Sequence, residues 1–177
     1  MVDVNLNEAW RTQEPWWPVT EVQAADVLEA IERLNPEETP RYQPTPKDTF
    51  CNIFAFDVLR ALSIRSPGYW HDPVTGAPTK PGTGAEMTAN LLSHWMATHG
   101  TEQGWQMTTD INEAVRWAQE KRVCLALWRN AKGHGHVSIV RPDGPANCAQ
   151  AGRVNGNNMK LDRAFKAALP AVKYWAK

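Results

Sequence analysis

Three residue types that together activate a thiol occur in chain order: a cysteine at the expected start of a helix, a histidine at the start of a strand, and a polar side chain on the next strand. Cys51 follows Asp48-Thr49, which offers an N-cap to a helix over about 50–63. In a first helical turn the macrodipole and the free backbone N–H groups favour the thiolate, the form that attacks carbonyl carbon. The alternative for Cys51 is that of most free cysteines, a small buried apolar side chain. Cys124, inside the apolar run Val123-Cys124-Leu125-Ala126-Leu127-Trp128, reads as core, and Cys148 as structural. A base for Cys51 is available in Gly133-His134-Gly135-His136. His136 opens a strand, the glycines beside His134 let backbone and substrate approach closely, and His134 competes for the role. If the turn after 136–140 returns the chain antiparallel, a residue of 147–151 lies beside His136. Gln150 or Asn147 can then hold the second imidazole nitrogen and set its tautomer.

Two other chemistries use the same residues. His134-x-His136 with His71 and Asp72 supplies enough ligand types for a zinc-dependent amidase. Against it, there is no His-Glu-x-x-His element, and alternate residues of a strand point to opposite faces. A non-catalytic wall-binding or partner-binding module is the other alternative, motivated by nine Trp, whose rings stack on sugars but serve equally as core.

The elements that must position these groups follow from periodicity and punctuation. Thr20 and Gln23 fit a capping box, and Ala24, Val27, Leu28, Ile31 and Leu34 repeat at helical spacing until Asn35-Pro36. Residues 36–47 form a proline-rich connector. Phe54, Val58, Ala61 and Leu62 form the buried face of the helix that starts at Cys51, with Asp57 on its solvated surface. Residues 64–82, rich in Pro and Gly, read as a long loop, a type that is often functional. Thr83-x-x-Glu86 predicts a helix to about 98, and Asp110-x-x-Glu113 a short one to about Lys121. Strands are expected at 123–128, 136–140 and 147–151, a helix at 158–168 and a closing strand at 171–175. Helices first and hairpin-linked strands later imply an α+β fold with an antiparallel sheet.

The segment Thr49-Phe50-Cys51-Asn52-Ile53-Phe54-Ala55-Phe56-Asp57-Val58 resembles the start of small papain-fold cysteine peptidoglycan hydrolases of the NlpC-like and CHAP-like branch, which include phage endolysins and toxins injected into rival bacteria. The resemblance continues in order through Thr88 to Trp95, Ala126 to Asn130, Gly133 to Pro142, Ala149 to Gly152 with Asn155, and Tyr174-Trp175. It covers about 48–176 and implies a single catalytic domain over 1–177: a papain-like core with N-terminal helices on a small antiparallel sheet, preceded by a helical extension at 1–47. It implies Cys51 as nucleophile, His136 as general base and Gln150 as orienting residue, Asn147 being the less favoured choice; Gln150 departs from the His or Asn commonest there. The substrate implied is the peptide of bacterial peptidoglycan, with no cofactor. In the loop, Trp70 reads either as an aromatic wall for substrate or as an anchor. Asn52 reads as a substrate contact or a backbone cap.

Composition bounds the partners. Lys plus Arg and Asp plus Glu are 19 each, a net charge of zero, which argues against a nucleic-acid partner held by phosphate neutralisation. No stretch reaches the ~18 apolar residues of a membrane span. Met1-Val2-Asp3-Val4-Asn5 has neither a basic nor an apolar signal region. The expectation is synthesis in the cytoplasm without a Sec signal and action on the periplasmic wall, with a cognate immunity protein as partner if the chain is a secreted toxin.

Overall fold

The computed structural model describes residues 22–177 except 65–67, 73, 76, 78 and 80–83. The expected cap at Thr20 and the aromatic arm before it lie outside the described residues. The first helix of the described residues, α1 (Val27–Leu34), starts six residues later than that cap implied. Its real box is Asp26-x-x-Glu29: Asp26 Oδ1 accepts from Glu29 N at 3.0 Å, and Glu29 Oε2 accepts from Ala25 N at 2.6 Å. A 3₁₀ turn (Pro40–Tyr42) leads to α2 (Cys51–Ala61). Every residue of α2 except Arg60 is buried, so it is a central helix enclosed all round, not the one-faced helix its periodicity suggested.

The described part of the 64–82 loop contains a strand. β1 (Trp70–His71) pairs antiparallel with β2 (Ala85–Glu86), Trp70 opposite Glu86. This corrects the helix start expected at Thr83-x-x-Glu86: Glu86 belongs to the ladder. Helix α3 (Ala89–Trp95) begins after Thr88, whose side chain accepts from Leu91 N, and a wider π turn carries it through Met96–Gly100. Then come β3 (Gln106–Thr108) and α4 (Ile111–Gln119), the latter capped by Asp110 as expected. The strands β4 (Cys124–Trp128), β5 (His136–Val140) and β6 (Asn147–Ala151) stand where the apolar runs placed them. A further strand, β7 (Asn155–Lys160), occupies the beginning of the helix expected at 158–168. Only α5 (Leu161–Phe165) is α-helical there, followed by a 3₁₀ turn (Lys166–Ala171) and β8 (Lys173–Ala176).

The chain is thus a mixed α/β fold with an antiparallel six-stranded sheet, order β3-β8-β4-β5-β6-β7, and a small two-stranded sheet. The continuous apolar run of β4 has a simple cause. Leu125 and Leu127 belong to a core with α1, α2 and α3, whereas Cys124 and Ala126 belong to a second core with α4 and α5. A strand covered on both faces has no polar side to alternate with.

The segment before residue 48 is built into the first core through Val27, Ile31, Leu34 and Tyr42. It is also tied to the sheet: Asn155 Nδ2 donates to the carbonyls of Pro36 and Tyr42, and Arg153 to that of Thr45. At its centre Arg41 and Asp57 form a buried bidentate ion pair, Nε to Oδ2 at 2.6 Å and NH2 to Oδ1 at 3.1 Å. The Tyr42 and Tyr69 hydroxyls also donate to Asp57. Asp57 is therefore not the solvated helix-surface residue its position suggested. Its face of α2 is covered by the 3₁₀ turn and by Tyr69, so the carboxylate carries its own cation and donors with it into the core.

Candidate active site

Cys51 is the first residue of α2. Its N-cap, Phe50, makes no side-chain capping bond, so no capping side chain competes for the N–H groups of the opening turn. The sulfur stands by β5, where the His136 ring and the Val137 N–H, with the Asn52 N–H of its own helix, favour its charged form. Burial pushes the thiol up, but the His136 charge, its hydrogen bond and the two N–H groups outweigh that. Cys51 accordingly sits below the ordinary thiol value. The reciprocal effect acts on the base. Burial pulls His136 down, while the Cys51 charge and the hydrogen bonds to Cys51 and Gln150 raise it above the ordinary imidazole value.

His136 Nε2 lies 2.5 Å from Gln150 Oε1. An amide oxygen only accepts, so Nε2 carries a proton, and Nδ1 is the nitrogen left for the sulfur. Gln150 is itself held, its Nε2 donating to the Val154 carbonyl at 2.9 Å. Phe165 meets the imidazole edge-on with ring centroids 5.1 Å apart. A side chain at Gly152 would bring its Cβ to 3.2 Å from Gln150 Nε2 and 3.3 Å from His136 Cε1, so this glycine lets the backbone pass directly under the pair. Gln150→Ala is expected to lower kcat by about 10²-fold. It also removes a contact that raises His136, so the alkaline limb of the pH profile, where the imidazolium is lost, should move to lower pH. A profile of unchanged shape would show that Gln150 does not orient the base.

The structure brings Cys51, His136 and Gln150 together and leaves the competing residues elsewhere. His134 is exposed. Asn147 donates through Nδ2 to Asn158 Oδ1 at 2.6 Å and does not reach the imidazole. His71 Nδ1 is 3.0 Å from the Ala85 carbonyl, and Asp72 accepts from the N–H groups of Val74 and Thr75. Among the described residues no three His, Cys, Asp or Glu side chains gather in a way that would hold a metal ion; the set His71, Asp72, His134 and His136 is not assembled. Cys124 and Cys148 are buried in the second core, and burial pushes both thiols up to about 12.

Asn52 is 7% exposed, and its Nδ2 donates to the Met87 carbonyl at 3.1 Å. Met87 N donates in turn to the Tyr69 carbonyl at 2.7 Å. That relay sets the Tyr69-Trp70 strand beside the opening turn of α2. Trp70 is half-buried, with an indole Nε1 that has no hydrogen-bond partner among the described residues. A separate cleft of about 390 Å³ opens between α3 and the β4–β5 loop, lined by Asn90, Leu91, His94, Arg129, Asn130, Ala131 and Gly133.

No protein-family model matches the chain, and no curated protein matches it.

Proposed function

We propose that this chain is a cysteine-dependent amide hydrolase of papain-like architecture, acting on the peptide part of bacterial peptidoglycan. The observation that carries the reaction is the Cys51–His136–Gln150 arrangement: a thiol at a helix start below its ordinary value, paired with a histidine whose far nitrogen is held by an amide oxygen. The substrate rests on the resemblance of the segments around Cys51, His136 and Gln150 to papain-fold wall hydrolases.

In this reading the Cys51 thiolate adds to the scissile carbonyl carbon, and the oxyanion is met by N–H groups of the α2 opening turn. The His136 imidazolium gives its proton to the departing amine as the carbon–nitrogen bond breaks, leaving a thioester. His136, now neutral, takes a proton from water, hydroxide adds to the thioester, and the carboxylate leaves as the thiol is restored. Trp70 supplies one wall for the substrate. Asn52, whose amide donates to Met87, acts by fixing that wall. The protein is made in the cytoplasm and acts on the periplasmic wall, either as a phage lysin or as a secreted toxin countered by an immunity protein.

Purified peptidoglycan digested with the protein should yield fragments carrying one new amine and one new carboxylate per cut, read by mass spectrometry. A thiol alkylator should abolish their formation and a metal chelator should not. Release of no new termini, or loss of activity to chelator alone, refutes the proposal.

A further inference from the structure

We infer that Asn90, on α3, is a positioning residue for the Cys51–His136 pair, holding the β4–β5 loop in the shape that delivers His136 to the sulfur. This rests on the cysteine-hydrolase reading above. Asn90 Nδ2 donates to the carbonyls of Asn130 at 3.0 Å and Gly133 at 2.8 Å, and Asn90 Oδ1 accepts from Asn130 N at 2.9 Å. One side chain thus engages both backbone groups of Asn130, as a neighbouring strand would, and reaches three residues further to Gly133.

The loop it grips has little else to fix it. Residues 131–134 are exposed. Its other hydrogen bonds among the described residues are internal, from Asn130 Nδ2 to the His134 carbonyl, from Lys132 N to Asn130 Oδ1 and from Gly133 N to the Asn130 carbonyl. The grip then passes to the base. A Cβ at Gly135 would stand 2.5 Å from Asn90 Oδ1 and 2.6 Å from the Trp128 carbonyl. The backbone just before His136 therefore lies flush against the Asn90 amide, and only glycine fits there.

The start of α3 is fastened to the nucleophile as well. Asn52, next to Cys51, donates to the Met87 carbonyl, one residue before the Thr88 cap. The run Met87 to Asn90 therefore spans the pair: one end is tied to the helix that carries the sulfur, the other to the loop that carries the imidazole. Relative placement of two reacting groups to within a fraction of an ångström is what such a brace supplies.

The test uses the full chain and variants Asn90→Ala, Asn90→Asp and His136→Ala. Iodoacetamide is the probe, and alkylation of the Cys51 peptide is followed by mass spectrometry as a function of pH. Asn90→Asp keeps the volume and the acceptor for Asn130 N but loses both donations. In folded Asn90→Ala, Cys51 alkylation at neutral pH should drop about tenfold, its midpoint moving about one unit toward that of His136→Ala, with kcat falling and KM unchanged. Asn90→Asp should move in the same direction. Profiles of both Asn90 variants that coincide with the wild type, while His136→Ala shifts, overturn the positioning role and leave the hydrolase reading intact. A wild-type profile that coincides with His136→Ala instead overturns the pairing of Cys51 with His136, and this inference with it. Failure of both Asn90 variants to fold also overturns it, since Asn90 then holds the fold and not the base.

Discussion

Cys51→Ala is expected to lower peptidoglycan amide hydrolysis by at least about 10⁴-fold while shifting the melting temperature by no more than about 4 °C. The two halves of this expectation have separate causes. Activity disappears because no other thiol can substitute: Cys124 and Cys148 lie in the opposite core, with ionisation pushed up to about 12. Stability survives because the change removes a single sulfur at a helix end, keeps the Cβ in the first core, and loses one ion pair's worth of interaction at most. The variant should also lower the His136 value, since the Cys51 charge that raises it is gone while burial, which lowers it, remains. Turbidity loss of outer-membrane-permeabilised cells reads the first effect and proton NMR of His136 the second. Full lysis by Cys51→Ala would transfer the activity to a wall-binding role without covalent chemistry.

Asp57→Asn is expected to cost about 3–5 kcal/mol, the penalty for stranding a buried partner ion. For a chain of 177 residues this lowers the melting temperature by roughly 6–20 °C. The side chains of Arg41 and Asp57 are 4% and 2% exposed, so water cannot replace the lost carboxylate. Tyr42 and Tyr69 would lose an anionic acceptor as well. The pair of replacements Arg41→Met and Asp57→Leu, which leaves no orphan charge, should recover part of the loss. Urea denaturation midpoints measure all three. A cost below about 1 kcal/mol for Asp57→Asn would mean that the guanidinium finds other partners or solvent.

Much of the site was legible because local signals happened to coincide with tertiary ones. Cys51 does open a helix, although the cap expected from Asp48-Thr49 is not made: the N-cap is Phe50, and Asp48 turns back to Thr45. His136 and Gln150 fall on neighbouring antiparallel strands because Pro142-Asp143-Gly144 turns the chain between them. Ile139 opposite Ala149 is the register that follows. The errors occurred where a local pattern had two readings. Thr83-x-x-Glu86 satisfies the capping box, yet Glu86 pairs with Trp70 across a ladder that only the incoming β1 makes possible. Asn155 to Lys160 carries no apolar alternation, so strand β7 was invisible; it pairs with β6 at the edge of the sheet and half faces solvent. Asp57 looked solvated because its cation, Arg41, lies in a proline-rich stretch with no helical or strand pattern. Asn90 lies in the resembling stretch Thr88 to Trp95, but nothing local marked its side chain: an amide in the second position of a helix is unremarkable until the loop 40 residues away arrives beside it.

The placement of two of the three buried thiols in the second core, away from His136, has a practical corollary for anyone counting working molecules. With Cys124 and Cys148 enclosed in the second core and Cys51 alone ionising near the helix start, the chain presents a single titratable equivalent to a soft electrophile. The stoichiometry of labelling then reports the fraction of a preparation that is correctly assembled, and a second equivalent taken up reports that the sheet has opened.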